Sequence, residues 1–599
     1  MKKRVADILV DCLIENGITD SFSVVGGGAM HLNNAFVLRD EINKIYCHHE
    51  QACAMAAEGY AKISGKMAVV CVTSGPGAIN AFNGVQGAYV DNTPMIVISG
   101  HPRYGTTVAP TGLNLRYRGV QEFNTMGAIK DMTKYCKLVL NPREVKREVY
   151  KAIEIAMSGR RGPVWLEIPL DVQSTFVDEE ELFSVDVDNT IIERNDAIKD
   201  ISESLLSELK ESKRPCILTG SGIRVSGSIE KFREFASKLG VPVVGGALQA
   251  DIMHNDNSLY YGMSGNVGPR CGNFILQNAD LIIAIGNSLS FKQTGFKQDS
   301  FAPKAKIIML DIEEDEAKKP GLKIDKFFKV DLGKFFDEAM QHIDAIDVAS
   351  EWVKYCDELK AKFSFYEALE YIDRDSEGVS AAEYWKQLLD VTSEDSIFAL
   401  GNSSCVVPPL VFGTSKEKQR VVVNYNSGSM GDDLPEAVGV AAASGKEVYC
   451  ITGDGSVMMN LQELQTIKYN ELPIKIVIFS NNGYAAIRRT CKNFFNGVYT
   501  GCDSDSGINM PDFERIAYGF DIPYKKCGYV EEIDESIHWM IAQEGVCIVE
   551  VIQKIEDTMY PRLMSKMKED GTFLDPELHD MYPFISEEEM RKWMLNWEL

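Results

Sequence analysis

Residues 448–484 read VYCITGDGSVMMNLQELQTIKYNELPIKIVIFSNNGY, and their pattern predicts the architecture of the surrounding chain. Two apolar runs, Val448–Thr452 and Ile474–Phe479, are typical of buried parallel strands. The segment Met458–Tyr469 between them has the length and composition of one helix. A strand, a helix and a parallel strand form a crossover unit, which brings the carboxyl ends of both strands side by side. We therefore expect the motifs that follow the two runs to meet at one edge of a sheet.

These two motifs, Gly453-Asp454-Gly455-Ser456 and Asn481-Asn482-Gly483-Tyr484, carry the ligands of a hard metal ion. A carboxylate, an amide oxygen and a loop carbonyl suit Mg²⁺ or Ca²⁺ rather than a soft metal. The glycines allow close approach of the backbone, and a helix that opens after Ser456 directs free N–H groups at an anion. Either motif alone is typical of an ordinary tight turn. Their spacing and strand placement favour a site for a metal-bound diphosphate.

Composition limits the class of protein. The chain has 599 residues and 45% apolar content, which suggests about three or four domains. A net charge of −25 argues against nucleic acid or an anionic membrane as a constitutive partner. No apolar run reaches the roughly 18 residues that span a bilayer, and no signal core is evident. The 14 cysteines form no C-x-x-C pair and are expected to be buried, reduced thiols. We expect a soluble, cytoplasmic protein.

The order of helical and strand patterns predicts an α/β fold with three doubly wound parallel-sheet domains. An acidic stretch, Val177–Asp196, is interpreted as a solvated linker after the first domain. Charged, helix-prone sequence, Glu351–Asp375, separates the second domain from the third. The predicted units are a first domain at 1–175, a central domain at 196–345, a third domain at 375–555 and a C-terminal tail at 556–599.

Further segments match a known family at the expected order along the chain: His48–Ala61, then Thr73–Asn80, then Asn426–Pro435. With the two motifs above, the chain resembles the thiamine-diphosphate enzymes of the acetolactate synthase and pyruvate decarboxylase type over essentially its whole length. The resemblance implies that the first domain binds the pyrimidine of the cofactor and the third domain its diphosphate. It also implies a homodimer or homotetramer, in which Glu50 of one subunit meets the metal site of another.

The resemblance assigns roles to individual residues. Glu50, otherwise a simple charge at a helix start, becomes the catalytic glutamate that hydrogen-bonds the pyrimidine and drives formation of its imino tautomer. Met430, otherwise a core methionine beside a turn, becomes the apolar wedge that bends the cofactor. Gln121 faces the substrate. The metal, Mg²⁺ or Ca²⁺, is held by Asp454, Asn481 and the Gly483 carbonyl. Further cofactor contacts are implied for Thr73, Pro76, Asn80, Gly401, Asn402, Ser403, Gly428, Gly455, Ser456, Tyr484 and Ala485.

The chain also departs from the acetolactate synthase pattern. Met430-Gly431-Asp432-Asp433 stands where that group usually has Met-Gly-Phe-Gly, and Gly401-Asn402-Ser403 where it has Gly-Gln-His. Ser288 replaces an arginine, which puts in doubt a family-type role of this stretch near FAD or substrate. A flavin nevertheless stays compatible with the glycine-rich turn Gly220-Ser221-Gly222, although such a turn alone is weak evidence.

Three arginines, Arg103, Arg116 and Arg118, precede Gln121 in a chain that is otherwise acidic. They suit an anionic, nucleotide-linked or sugar-linked acceptor, and the alternative is rim charges paired with nearby acids. We expect residues around Ser288, Asp432 and Arg116 to decide the substrate.

The predicted function is a thiamine-diphosphate- and Mg²⁺-dependent decarboxylation of a 2-oxoacid, pyruvate or a relative, with carboligation of the acyl unit to a second carbonyl compound. Three alternatives stay open: a decarboxylase that releases an aldehyde, a flavin-dependent oxidase, and a hydrolase of cyclic diketones. A non-catalytic cofactor-binding subunit would be favoured if Glu50, Asp454 or Asn481 were missing, and all three are present.

Overall fold

The computed structural model describes residues 2–185, 197–246, 250–557, 559–567 and 572–595. These residues contain three sheets of six strands each, and every strand pairing within them is parallel. Helices cover both faces of the sheets, and several inner strands are accordingly continuous apolar runs, such as Val69–Val72, Leu281–Ile285 and Ile397–Leu400. The predicted fold class, three parallel α/β sheets, is confirmed.

The first sheet has the strand order β3-β2-β4-β5-β7-β6. A short antiparallel pair, β1 with β8, lies beside it. The elements are β1 Lys2–Arg4, α1 Val5–Glu15, β2 Asp20–Ser23, α2 Met30–Val37, β3 Asn43–Tyr46, α3 Glu50–Ser64, β4 Val69–Val72, α4 Pro76–Asn80, α5 Phe82–Val90, β5 Ile96–His101, α6 Thr125–Ile129, β6 Tyr135–Leu138, α7 Val145–Met157, β7 Val164–Pro169, α8 Leu170–Gln173 and β8 Phe176–Asp178.

The central sheet has the order β11-β10-β9-β12-β13-β14, and one long helix follows it. The elements are α9 Ile198–Glu211, β9 Pro215–Thr219, α10 Gly222–Val225, α11 Ile229–Leu239, β10 Val243–Gly245, β11 Tyr260–Met263, α12 Arg270–Asn278, β12 Leu281–Ile285, α13 Phe291–Thr294, β13 Lys306–Asp311, β14 Lys326–Lys329, α14 Leu332–Ala339 and α15 Ser350–Lys362.

The third sheet has the order β16-β15-β17-β18-β20-β19, so the chain changes direction between β15 and β17, where open α/β sheets bind ligands. The elements are α16 Ala381–Val391, β15 Ile397–Leu400, α17 Val407–Phe412, β16 Arg420–Val423, α18 Asp433–Ser444, β17 Val448–Gly453, α19 Asp454–Val457, α20 Glu463–Tyr469, β18 Ile474–Ser480, α21 Ala485–Phe494, α22 Phe513–Gly519, β19 Tyr524–Cys527, α23 Ile533–Ala542 and β20 Cys547–Ile552.

The C-terminal segment contains β21 Lys566–Met567, β22 Phe573–Leu574 and α24 Glu587–Trp593. Its apolar side chains, including Leu563, Leu578 and Trp593, are buried in a cluster with residues of the central domain. This packing fixes the segment against the central domain, because removing those side chains from water stabilises the contact.

Two local predictions were wrong. Within the helix expected at Met458–Tyr469 only Glu463–Tyr469, α20, is helical, and a separate short helix, α19, begins at Asp454 itself rather than after Ser456. The break lets Asn460 leave the helical path and donate from Nδ2 to the Gly431 carbonyl at 2.6 Å. The predicted linker begins with strand β8, whose backbone pairs with β1. Its later part, residues 186–196, lies outside the described residues.

Candidate active site

The two motifs of the third domain meet at the carboxyl edge of its sheet. Strands β17 and β18 are paired in register, and Asp454 follows β17 directly. Its Oδ2 accepts the backbone N–H groups of Asn481 at 2.9 Å and Gly483 at 3.1 Å. The side chain is almost fully buried, and burial raises the pKa of Asp454 to about 6 against the opposing effect of these N–H donors. The structure thus brings the predicted metal ligands together around one buried carboxylate.

Asn481 is held by two residues that the sequence did not single out. Its Oδ1 accepts from Arg488 Nη2 at 2.9 Å, and its Nδ2 donates to Gln553 Oε1 at 3.0 Å. Arg488 also donates to the carbonyl oxygens of Asn481 and Cys502. The only indication of the role of Arg488 in the sequence was its position on the buried side of the otherwise exposed amphipathic helix α21. Arg488 therefore fixes the shape of the loop between β18 and α21.

The donor atoms at this edge fit a hard cation. Asp454 offers a carboxylate, Asn481 an amide oxygen with a second lone pair, and Gly483 a carbonyl. No group of three or more His, Cys, Asp or Glu side chains able to hold a metal occurs in the described parts of the chain. A metal here would therefore depend on amide and backbone oxygens besides Asp454, a set that suits Mg²⁺ or Ca²⁺.

Glycine is required at two positions of this site. Gly483 has φ +141°, and a Cβ there would lie 2.0 Å from the Cys502 carbonyl oxygen. A Cβ on Gly455 would lie 2.3 Å from the ring of Tyr484, the residue that precedes Ala485 and helix α21. These contacts hold the loop after β18 against the start of α19. The predicted cofactor residues Gly455, Tyr484 and Ala485 are thereby neighbours in space.

Hydrogen bonds join the other two predicted cofactor loops to this edge. Asn402 Nδ2 donates to the carbonyl oxygens of Gly428 at 2.9 Å and Ser429 at 3.0 Å. Ser456 Oγ accepts from Gly431 N at 2.9 Å and donates to Asp433 Oδ2 at 2.6 Å. The segments that contain Gly401–Ser403, Gly428–Met430 and Asp454–Ser456 thus form one surface. Met430 on it is partly exposed.

Asp433 is the acceptor that links two of these segments, although the sequence marked it only as a departure from the family. It is fully buried, and burial raises its pKa while the Ser456 hydroxyl opposes that rise. Its Oδ1 also accepts from Leu434 N at 3.0 Å. Asp433 therefore positions Ser456 beside the turn that carries Met430.

The predicted pyrimidine residues come together in the first domain. Glu50 is the first residue of α3, and its Oε2 accepts from Asn80 Nδ2 at 3.0 Å. Pro76 begins α4, which ends at Asn80. A Cβ on Gly77 would lie 2.7 Å from the Thr73 side chain and 3.0 Å from Glu50 Oε1. Thr73, Pro76, Asn80 and Glu50 therefore border one small surface, with the carboxylate partly exposed on it.

Gln121 lies in a loop that closes over the same part of the first domain. It has φ +56°, and its carbonyl oxygen lies 2.3 Å from where Gly75 would carry a Cβ. The neighbouring Glu122 accepts backbone N–H groups from Val108, Arg118 and Gly119. Partial burial raises the pKa of Glu122, but these hydrogen bonds together lower it below the ordinary value of a glutamate. Glu122 therefore shapes the loop that carries Gln121.

The three arginines of this loop have no acidic partner in the described residues. Arg118 Nη1 donates to the carbonyl oxygens of Gly105 at 3.1 Å and Thr107 at 3.2 Å. No ion pair of Arg103, Arg116 or Arg118 with an acidic side chain occurs within the described ranges. Ion pairing with nearby acids therefore does not account for these charges in a single chain.

The first and third domains are in backbone contact where α3 crosses α18. A Cβ on Gly439 would lie 1.7 Å from the Ala56 carbonyl oxygen, and one on Gly59 would lie 2.3 Å from that of Glu436. Nearby, His48 N donates to Glu463, and Asn83 Nδ2 donates to Ser429 Oγ at 2.9 Å. The helices approach this closely because only glycine stands at the crossing points.

Buried carboxyl groups surround one lysine beside this crossing. Lys62 Nζ lies 2.7 Å from Glu58, 3.1 Å from Glu436 and 3.2 Å from Asp91. Asp432 is 3% exposed, and neither of its carboxylate oxygens has a hydrogen-bond partner in the described residues. Asp432 is thus buried at the contact between the domains, near the charges of Glu436, Glu58 and Lys62. Burial raises the pKa of Glu58 to about 7.

Replacing Asp432 by asparagine should stabilise the protein above neutral pH. Burial, followed by the charges of Glu436 and Glu58, raises the pKa of Asp432 well above the ordinary aspartate value. The folded state therefore binds more protons than the unfolded chain, and stability falls as the pH rises above that ordinary value. We expect D432N to gain about 1–3 kcal/mol at pH 8 and less at pH 5, measured by denaturant unfolding. D315N, at an exposed site, should show no such pH-dependent gain, and equal curves for D432N and wild type would contradict the prediction.

Comparison with known proteins agrees with this geometry. Three domain descriptions of the thiamine pyrophosphate enzymes match in order: the N-terminal TPP binding domain at residues 3–126, the central domain at 202–332 and the C-terminal TPP binding domain at 403–551. The fold and the paired motifs thus define a thiamine-diphosphate enzyme.

Individual relatives indicate which group of thiamine-diphosphate enzymes this chain is similar to in sequence. Acetolactate synthase isozyme 2 large subunit of Escherichia coli (strain K12) is 29% identical over 92% of this chain and 96% of its own length. Acetolactate synthase 1, chloroplastic, of Zea mays is 30% identical over 94% of this chain and 87% of its own length. The acetolactate synthase large subunit of Lactococcus lactis subsp. lactis (strain IL1403) is 29% identical over 92% and 93%. The chain belongs to the thiamine pyrophosphate enzyme family and is an acetolactate synthase-like transferase that depends on thiamine diphosphate.

No helix in the described part of the chain is both long enough and apolar enough to cross a membrane.

Proposed function

We propose that the protein decarboxylates a 2-oxoacid, pyruvate or a relative, and transfers the acyl unit to a second carbonyl compound. The observation that carries this proposal is the meeting of Asp454, Asn481 and Gly483 at one sheet edge. Asn402 Nδ2 donates to the Gly428 carbonyl and Gly431 N donates to Ser456 Oγ, so two further loops are tied to that edge. The relatives named acetolactate synthase support the same reaction class.

Each of the predicted site residues has a proposed role in this reaction. Asp454, Asn481 and the Gly483 carbonyl would hold Mg²⁺, or Ca²⁺, against the diphosphate, with contacts from Gly401, Asn402, Ser403, Gly455, Ser456, Tyr484 and Ala485. Thiamine diphosphate, when bound, would supply an electron sink for the negative charge that loss of CO₂ leaves on the keto carbon of the substrate. Met430 and the Gly428 carbonyl would fix its bend, and Thr73, Pro76 and Asn80 would line the pyrimidine side. Glu50 would exchange a proton with a pyrimidine nitrogen, and Gln121 would face the substrate.

Product analysis tests this function. The purified protein is incubated with pyruvate, Mg²⁺ and thiamine diphosphate, with and without candidate aldehydes and sugars, and the products are identified by mass. We expect acetolactate or another ketol. Acetaldehyde alone would instead indicate a non-ligating decarboxylase, and acetate with peroxide a flavin-dependent oxidase. Consumption of a cyclic diketone in place of pyruvate would indicate a hydrolase.

We also propose that the cleft between the first and central domains binds FAD. It lies at the carboxyl ends of β9, β12 and β13, and its lining includes Arg161, Ser221 and Asp311. The glycine-rich turn gives weaker support, because a Cβ on Gly220 would lie 1.9 Å from the Gly286 carbonyl oxygen, so packing of the chain on itself already requires glycine there. The visible absorption spectrum of the purified protein tests this proposal, and a spectrum without flavin bands would refute it.

The subunit that supplies Glu50 can be identified by mixing two inactive variants. We propose a dimer or tetramer in which Glu50 acts on the cofactor held by the third domain of another chain. Unfolding and refolding E50Q together with D454A should then restore about one quarter of wild-type activity, since half of the dimers carry one intact site of two. Each variant refolded alone serves as control. Absence of recovery would place both residues of a site in one chain, where the first domain already touches Ser429 through Asn83.

A further inference from the structure

A second cavity of ≈ 300 Å³ lies between the carboxyl edge of the third sheet and the C-terminal segment. Its lining includes Ser403 and Ser404 from the loop after β15, Arg489 from α21, and Lys554 and Arg562 from the chain after β20. We call it the tail cavity. Its cationic side chains come from distant parts of the chain, so their convergence is a product of the fold.

The guanidinium groups of Arg489 and Arg562 have no partner in the described residues. Neither forms an ion pair or a side-chain hydrogen bond there, and Arg562 Nε is fully buried without an acceptor. Burial lowers the pKa of Arg562, and the charge of Arg489 lowers it further. Two cations thus face one cavity without compensation, an arrangement that costs free energy unless an anion joins them.

Three acids line the cavity, and none of them forms an ion pair with Arg489 or Arg562 in the described residues. Asp373 is exposed and accepts from Asp375 N at 3.0 Å. Asp557 accepts from Ser380 Oγ at 2.8 Å, Ala381 N at 2.7 Å and Gln553 Nε2 at 2.7 Å. Glu556 lies 3.1 Å from Lys492, which is outside the lining. The remaining cation, Lys554, donates to the Ser376 carbonyl oxygen. The two arginines are therefore the cations of the lining whose side chains have no acceptor in the described residues.

The cavity adjoins the cofactor site. Ser404 Oγ donates to Gln553 Oε1 at 3.2 Å, and the same oxygen accepts from Asn481 Nδ2 at 3.0 Å. Ser403 belongs to the loop whose Asn402 holds the Gly428 and Ser429 carbonyls. A group bound in the tail cavity would thus be separated from the metal loop only by the side chain of Gln553, whose Oε1 accepts from both Ser404 and Asn481.

We propose that the tail cavity binds an oxyanion, phosphate or carboxylate, of the second substrate through Arg489 and Arg562. This inference rests on the proposed function, since it names the chemical class of the acceptor of that same reaction. Guanidinium groups match such anions because their N–H donors form paired, charge-assisted hydrogen bonds in a fixed plane. The hydroxyl group of Ser403, which also lines the cavity, is a further donor.

Calorimetric titration tests the site directly. Inorganic phosphate is titrated into the protein loaded with Mg²⁺ and thiamine diphosphate, for wild type, R489Q, R562Q, R489K and R562K. We expect each glutamine variant to bind phosphate roughly tenfold more weakly or worse, and the lysine variants to retain part of the affinity. R515Q, which removes an exposed arginine of α22, is the matched control and should bind as wild type does. Circular dichroism checks that every variant is folded.

Three results would overturn the proposal. The first is equal phosphate affinity in R489Q, R562Q and wild type. The second is phosphate binding that disappears when thiamine diphosphate saturates the protein, because the cavity would then belong to the cofactor's own diphosphate. The third is a slower release of CO₂ from pyruvate in R489Q or R562Q during a single turnover with enzyme in excess, where no second pyruvate takes part, because the arginines would then bind the donor carboxylate. If wild type consumes no pyruvate at all, the proposed function fails, while the titration still decides whether the cavity binds an oxyanion.

Discussion

E50Q is expected to lower kcat by roughly a hundredfold to ten-thousandfold while thiamine diphosphate still binds. Glutamine has nearly the same shape as glutamate, and its carbonyl oxygen can still accept from Asn80 Nδ2, as Glu50 Oε2 does at 3.0 Å. What it lacks is a group that exchanges a proton with the pyrimidine. The measurement is steady-state turnover of pyruvate together with calorimetric titration of the cofactor.

E41Q provides a matched control for this variant, because Glu41 is exposed and lies outside the predicted cofactor contacts. It should turn over pyruvate as wild type does. Full activity in E50Q would refute the role of Glu50, and loss of cofactor binding would show that its main role is structural.

D454A is expected to weaken Mg²⁺-dependent binding of thiamine diphosphate by roughly a hundredfold or more. Asp454 is the only carboxylate among the three proposed metal ligands, and it also accepts the N–H groups of Gly455, Asn481 and Gly483. Its loss removes a negative charge from the metal and an acceptor from the loop. Cofactor titration at fixed Mg²⁺ measures the effect.

D521A is a suitable control, because the Asp521 side chain is 97% exposed. Its cofactor affinity should equal that of wild type, and circular dichroism should show both variants folded. Unchanged cofactor affinity in D454A would count against the metal role of this residue.

The sequence predicted best those features that depend on near neighbours in the chain. The buried strands β17 and β18 appear as continuous apolar runs, because helices cover both faces of the sheet. Their parallel pairing made the meeting of Asp454 and Asn481 predictable, since a crossover leaves few alternatives. The family was likewise recognisable from motifs in three separate segments.

Features that depend on distant partners were missed. The break between α19 and α20 is stabilised by Asn460 bonding to Gly431, about 30 residues earlier in the chain. In the sequence, Arg488 resembles any other charge on an amphipathic helix. Its role is evident only in the structure, where loop carbonyls accept its hydrogen bonds. Asp432 was noticed as unusual, but composition and spacing gave no indication that it is buried near Glu58 of the first domain and Glu436 of the third.

The glycine crossing of α3 and α18 has a consequence for motion. Because main chain rests on main chain at Gly59 and Gly439, a rotamer change alone would not let the helices slide past each other at these points. The first and third domains of one chain should consequently move as a single rigid body. Adjustment to substrates of different size would then occur in the central domain and in the C-terminal segment packed on it. Hydrogen exchange should be slowest along the two crossing helices.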